Sequence, residues 1–252
     1  MLESYFDDSS DGRRDTYYVC GGLLGDEEQW NLVSAMWSHE THGLQKPFRS
    51  TDCEGGHGQF HNWPLERRND LMARLVAVIR RFKVYGYTSV VPIQTYRVYF
   101  PDRGQQAPLL LAATQSIMNM AHLANLMRKD VRVWFESGPG KGEITDQFNA
   151  ITELKWGPAR RLRGPYFDTK KLWPLQSADL IAREAFKHSV NLGTRPAREP
   201  LKRMANVLYF TRWTDQTLEY LARNGGPEKL ELLCSWDQRP DVPPMEMFWK
   251  RF

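Results

Sequence analysis

The stretch "WPLQSADLIAREAF", Trp173 to Phe186, sets a condition that any fold of this chain must meet. On a helix of 3.6 residues per turn, Leu175, Ala178, Ala182, Ala185 and Phe186 form one apolar stripe, and Asp179 falls inside it. Its carboxylate therefore points toward the protein. Pro174 suits the first helical turn, which leaves Asp179 too deep to act as an N-cap or to gain much from the helix dipole. An unpaired buried carboxylate is strongly destabilising, so the fold must set an arginine, a hydrogen-bond network or a metal ion opposite Asp179.

A chain of 252 residues with 41% hydrophobic content can fill one large domain, or a domain with a modest extension. No long apolar run suits a membrane helix, and the first residues are acidic and polar, unlike a signal peptide. A cytoplasmic protein with no membrane partner is expected. Cys20, Cys53 and Cys234 are odd in number and far apart, which argues against a disulfide framework and for reduced thiols. The net charge of +4 is mild, but the basic residues clump at Arg67-Arg68, Arg80-Arg81, Arg160-Arg161 with Arg163, Lys170-Lys171, and Arg195 through Arg203. Such clumps are either solvated faces or a surface for a polyanion such as nucleic acid.

The opening residues read as a β-hairpin, one strand ending near Asp8 and a second from Tyr17 to Leu24. Helices are expected over about 26–39 and 64–82, separated by the glycine-rich loop "RSTDCEGGHGQFHNW", and a strand within Tyr87 to Phe100 that Pro92 confines to an edge or breaks. Gln105 to Lys129 is rich in good helix formers and apolar residues and predicts a long, largely buried helix. "VRVWFES" then predicts a strand ending at Glu136, followed by a helix near Ile144 to Glu153, a strand around Leu162 to Phe167 and the helix carrying Asp179. Beyond Asn191 come a basic, proline-containing segment, a helical stretch to about Arg223 and a proline-rich tail from Arg239. The alternation of strands and helices predicts an α/β domain over residues 1–192 with a helical and Pro-rich extension over 193–252 packed on it.

Three acids share a placement: Asp7 near the end of the first strand, Glu136 at the end of a later one, and Asp179 facing inward from a late helix. Strand ends converge at one sheet edge, and three carboxylates that meet there repel one another unless a cation joins them. Hard divalent ions, Mg²⁺ or Mn²⁺, prefer such oxygen ligands and serve phosphodiester cleavage by activating water and stabilising the leaving oxygen. Asp8 alternates to the opposite face if its strand continues, whereas Asp52 and Glu54, in the glycine-rich loop, are further candidates for the cluster.

The segments "YFDDSSD", "FRSTDCEGGHGQFHNW", "VWFESGPGKG" and "PLQSADLIA" together resemble, in order and rough spacing, the bacterial and phage family called domain of unknown function 3800, over roughly Ser4 to Leu192. The resemblance implies a ribonuclease-H-like mixed sheet flanked by helices and, by analogy of fold and acidic motif, a metal-dependent nuclease. It places the family's first acidic pair on Asp7 and Asp8, its strand acid on Glu136, and its late-helix Gln and acid on Gln176 and Asp179. Gln176 would then orient Asp179 or a water. The sequence departs from the pattern at Asp8, where glutamate is usual, at Ser10, where glycine is common, and at Arg49, where a histidine often precedes the middle-loop aspartate. The long helix also carries no acid before Asp130, so Asp52 or Glu54 would have to supply a fourth ligand.

Other signals compete. Cys53, His57 and His61, with His39 and His42 nearby, could be drawn into a zinc site, but a loop beneath them fixes little geometry. "ESGPGKGE" lacks the glycine spacing and the Ser or Thr of a phosphate loop, which leaves Lys141 as a candidate phosphate contact near Glu136. The nine tryptophans are expected mainly in the core or facing a partner, and none is assigned to a substrate. The sequence thus predicts hydrolysis of DNA or RNA with Asp7, Glu136 and Asp179 holding Mg²⁺ or Mn²⁺. The alternatives are a ribonuclease-H-like module that binds nucleic acid or protein without catalysis, and a metal-dependent phosphoryl hydrolase of small molecules.

Overall fold

The computed structural model describes residues 1–138, 140–204 and 206–234 and the two-residue strand Glu246–Met247. Strands β1 (Leu2–Ser10) and β2 (Tyr17–Asp26) form the expected antiparallel hairpin, paired from Leu2↔Asp26 to Ser10↔Tyr18. Asp11 closes the turn, its carboxylate accepting from the amides of Asp15 and Thr16. The chain continues through α1 (Glu27–Thr41), α2 (Ser50–Gly55), α3 (Leu65–Arg81), β3 (Tyr85–Pro92), α4 (Ile93–Tyr99) and α5 (Ala107–Leu126). It then forms β4 (Val131–Glu136), α6 (Lys141–Glu153), β5 (Leu162–Asp168), α7 (Trp173–Asn191), α8 (Glu199–Met204), β6 (Leu208–Arg212), α9 (Asp215–Arg223), α10 (Leu230–Cys234) and β7 (Glu246–Met247).

The strands make one mixed sheet in the order β5-β4-β1-β2-β3-β6-β7. β4 lies parallel to β1 and to β5, and β6 parallel to β3, while β2 runs antiparallel to both of its neighbours. Alternation along β1 sorts its side chains onto two faces. Tyr5 joins the core built from Trp30, Trp37, Leu75 and the Leu175 face of α7, whereas Phe6 joins the core built on α5 with Phe135 and Phe148. The sheet is therefore sandwiched between α1, α3 and α7 on one side and α5, α6, α9 and α10 on the other, an α/β architecture as the sequence predicts. Gly21 sets how closely α7 approaches: a Cβ there would stand 2.8 Å from the Cα of Ala182. That close contact brings α7 against the strand opposite Asp7, whose register partner is Gly21.

Several local expectations need correction. The strand expected within Tyr87 to Phe100 begins at Tyr85 and breaks at Pro92, as that proline predicts because it has no amide hydrogen for the ladder, and the residues beyond it form α4. The glycine-rich loop contains α2 and a 3-10 turn, Gly58–Phe60, with Gly56 in the left-handed region at the helix end. The segment after residue 192 is not only an appendage laid on the domain. β6 pairs with β3, and Leu201, Met204, Leu218 and Leu221 are buried in the two cores. The Pro-rich tail from Arg239 lies outside the described residues except at 246–247. Among the described residues, no helix is long and apolar enough to cross a membrane.

Candidate functional site

Parallel pairing of β1 with β4, with Phe6 opposite Phe135, places Asp7 beside Glu136 where β4 ends, while β1 runs on to Ser10. Both follow residues of the same pleat, Tyr5 and Trp134, whose rings stack at 5.9 Å on the α7 side of the sheet. Asp179 descends onto that side from the second turn of α7. The three acids predicted from widely separated parts of the sequence are thus brought together.

What stands between them is a lysine. Lys170, in the turn joining β5 to α7, sends its Nζ to 2.7 Å from Asp179 Oδ1, 2.8 Å from Asp7 Oδ2 and 3.1 Å from Glu136 Oε2. Asp7, Lys170 and Asp179 are all buried. Among the described residues no group of three or more His, Cys, Asp or Glu stands ready to hold a metal ion; the point on which these oxygens converge is taken by the ammonium.

The partners are unequally shared. Asp179 donates nothing and accepts twice, from Lys170 Nζ and, through Oδ2, from the Ser50 amide at 2.6 Å. Burial alone would raise its pKa, but the ammonium and the Ser50 donor outweigh that and hold it below the usual carboxylate range. Asp7 Oδ1 accepts from the Asp8 amide, while Oδ2 meets Lys170 at ion-pair distance but outside hydrogen-bond angles. Burial raises the Asp7 pKa well above the ordinary value; Lys170 opposes the shift and the neighbouring Asp179 and Glu136 charges add to it. One ammonium against three carboxylates leaves the centre short of positive charge, and Asp7 carries the shortfall. Burial works against the charge on Lys170, yet Asp179, Asp7 and Glu136 together raise its pKa, so it stays an ammonium.

Gln176 does not touch Asp179. Its Oε1 accepts from Trp37 Nε1 at 3.0 Å and from the Phe48 amide at 3.2 Å, and its Nε2 donates to the Lys170 carbonyl at 2.7 Å. It therefore fixes the turn that carries the lysine and the segment that leads into Ser50 at the start of α2. This corrects the expectation that Gln176 orients Asp179 directly.

Beside the centre opens a cleft of about 270 Å³, lined by Asp7, Asp8 and Glu136 with Arg49 and Lys141, and walled by Phe6, Leu109, Ala113, Phe135 and Ile144. Asp8 reaches it from the opposite face of β1, because that strand runs on to Ser10. Arg49 Nη2 lies 3.4 Å from Glu136 Oε1, and the Lys141 ammonium sits 4.9 Å from the Phe167 ring centre.

The two loop acids do not join the cluster. Asp52 lies on α2 with its carboxylate beside Gly58. Glu54 turns the other way, into Arg183 at 2.8 Å, Arg198 at 2.7 Å and Lys187 at 3.1 Å, and these cations hold its carboxyl below the usual range against the effect of burial. The middle segment contributes Ser50 and Arg49 instead. Cys53, drawn into the zinc alternative, is buried in the core and its thiol is pushed up to about 12 by burial. Sequence reasoning misses Lys170, although it asks for a cation opposite Asp179 and notes the Lys170-Lys171 pair. No family model and no curated protein matches the chain.

Proposed function

We propose that this chain is a divalent-metal-dependent nuclease of ribonuclease-H type, similar to the domain of unknown function 3800 family, acting on nucleic acid in the cytoplasm. The observation that carries the reading is the convergence of Asp7, Glu136 and Asp179, from β1, β4 and α7, within 2.7–3.1 Å of one cation position beside an open cleft. The donor set fits Mg²⁺ or Mn²⁺: the ligands are all carboxylate oxygens, and the centre still lacks positive charge with Lys170 in place. A bound divalent ion would supply an activated water and stabilise the departing oxygen. Asp7, Glu136 and Asp179 would hold it, with Asp8 within the same cleft. Arg49 and Lys141 stand where they would pair with the phosphate of the scissile strand, which keeps nucleic acid as the partner.

The test is cleavage of single- and double-stranded DNA and RNA by the full chain with Mg²⁺ or Mn²⁺, beside Asp7→Asn and Glu136→Gln. Metal-dependent cleavage lost in both variants is expected; cleavage that survives both eliminates this chemistry. The Lys170 ammonium at the carboxylate centre favours a second reading, a ribonuclease-H-like module that binds nucleic acid or protein without cutting. It would bind its partner unchanged in EDTA, and Mn²⁺ would not raise its melting temperature.

A further inference from the structure

We infer that Lys170 is an internal competitor for the metal position: its ammonium keeps the three carboxylates assembled in the metal-free protein and must leave before a divalent ion can bind them. The inference rests on the nuclease reading of the site and concerns how that site is loaded.

The geometry forces a choice between the two cations. Oxygen ligands of a divalent ion stand about 2.0–2.6 Å from it. The Lys170 nitrogen already lies 2.7, 2.8 and 3.1 Å from one oxygen of each acid, so it holds the same oxygens, and the same charge, that a divalent ion would need. Charge sets the direction of the exchange. A single ammonium faces three carboxylates, whereas a doubly charged ion meets that charge more fully. The attachment of Lys170 permits the exchange. Its backbone is pinned by Gln176 Nε2 on its carbonyl, but the side chain leaves a turn rather than a helix or strand, on a flexible four-carbon stem. Only the ammonium need swing away. The Asp179–Ser50 hydrogen bond does not involve Lys170, so Asp179 keeps one anchor when the lysine leaves.

A tethered competitor lowers apparent affinity by the fraction of time the site is free, so a site filled by lysine nine-tenths of the time or more loses about tenfold or more in metal affinity. Lys170→Met, which keeps the stem and removes the charge, is expected to bind Mn²⁺ at least about tenfold more tightly than the wild type by calorimetry or electron paramagnetic resonance. Equal Mn²⁺ affinity in the two proteins overturns the competitor and leaves the metal site standing. No Mn²⁺ binding by either protein overturns both.

The wild-type chain offers a second measurement should the variant fail to fold. An amine-acylating reagent read by mass spectrometry is expected to spare buried Lys170 and label exposed Lys171 in metal-free protein, and to label both once Mn²⁺ is saturating. Mn²⁺ that binds while Lys170 stays protected refutes the displacement, whatever the nuclease assay gives.

Discussion

Helix α7 carries two buried acids with opposite fates. Asp179 is surrounded by donors from other parts of the chain, Lys170 and Ser50, and its pKa is held down. Glu184, five residues on, is fully buried, yet among the described residues neither of its oxygens finds a hydrogen-bond partner, and the Arg198 Nη2 cation stands 3.4 Å from Oε1. Burial pushes Glu184 up to about 7, with Arg198 opposing the shift and Glu54 adding to it. Nearby, Glu54 draws Arg183, Arg198 and Lys187 to itself. One end of the helix thus has an acid to spare around a single ammonium, and the other has several cations gathered on one acid beside a neglected one. The contrast shows that burial alone does not set the state of a carboxylate; the donors delivered to it decide whether the effect of burial prevails.

The strongest way to break the contrast is to remove the ammonium. Lys170→Met leaves three neighbouring acids with no buried cation, and loss of one side of a buried ion pair costs about 3–5 kcal/mol. Urea or thermal unfolding at neutral pH in EDTA should show a loss of that size. The loss should shrink as pH falls. Buried Asp7 and Asp179, with no ammonium to oppose the effect of burial, take up protons more readily than in the unfolded chain, so the native state of the variant gains stability on acidification. A loss equally large at pH 5 and pH 8 would mean that the acids are not coupled through Lys170.

Gln176→Met removes the clamp and spares the charges. It strands the Trp37 indole N–H, the Phe48 amide and the Lys170 carbonyl, with a penalty of roughly 1–3 kcal/mol for each buried group that finds no new partner. A net loss of about 2–4 kcal/mol is expected, short of the sum because the loop can relax. A loss below about 0.5 kcal/mol would show that the turn holds its place without the glutamine.

At the other end of α7 the substitution is expected to stabilise rather than destabilise. Glu184 has a folded pKa above its unfolded value, so its contribution to stability is complete below about 4.5 and is lost as pH rises to about 7. Glu184→Gln cannot lose a proton. It should match the wild type near pH 4.5, gain on it through the interval and keep a constant lead above pH 7. A tenfold change in proton affinity is worth about 1.4 kcal/mol, which caps the lead at on the order of 3 kcal/mol, and the new amide's own need for partners reduces it. A variant less stable than the wild type at pH 8 would show that Arg198 holds the ionised Glu184 better than its geometry allows.

The sequence reveals the two ends of α7 unequally. Asp179 stands out because it interrupts an apolar stripe, and Asp7 and Glu136 because each closes a strand-like run. Long periodic segments such as α5 are legible for the same reason. Lys170 is not, because a lysine beside another lysine in a polar turn looks solvated; only the crossing of β1, β4 and α7 makes its surroundings acidic. In the sequence Glu54 and the basic run from Arg195 to Arg203 stand apart, as a candidate metal ligand and a substrate surface, and in three dimensions Arg198 joins the two. β6 and α2 span five and six residues, too few for a periodic pattern to declare itself.

The smallest expected effect on stability concerns the two cations that share Glu136. Lys170 reaches its Oε2 from inside, whereas Arg49 reaches its Oε1 from the cleft with more than half of its side chain exposed. An exposed pair of this kind contributes about 0–1 kcal/mol, so Arg49→Ala should leave the melting curve almost unchanged. Its effect belongs in binding. If the cleft receives a nucleic-acid backbone, removing one phosphate-pairing arginine should weaken binding across sequences and lower the slope of log affinity against log salt by about one. An unchanged slope would assign Arg49 to Glu136 alone. An unfolding loss as large as that of Lys170→Met would erase the difference between a buried counter-charge and an exposed one.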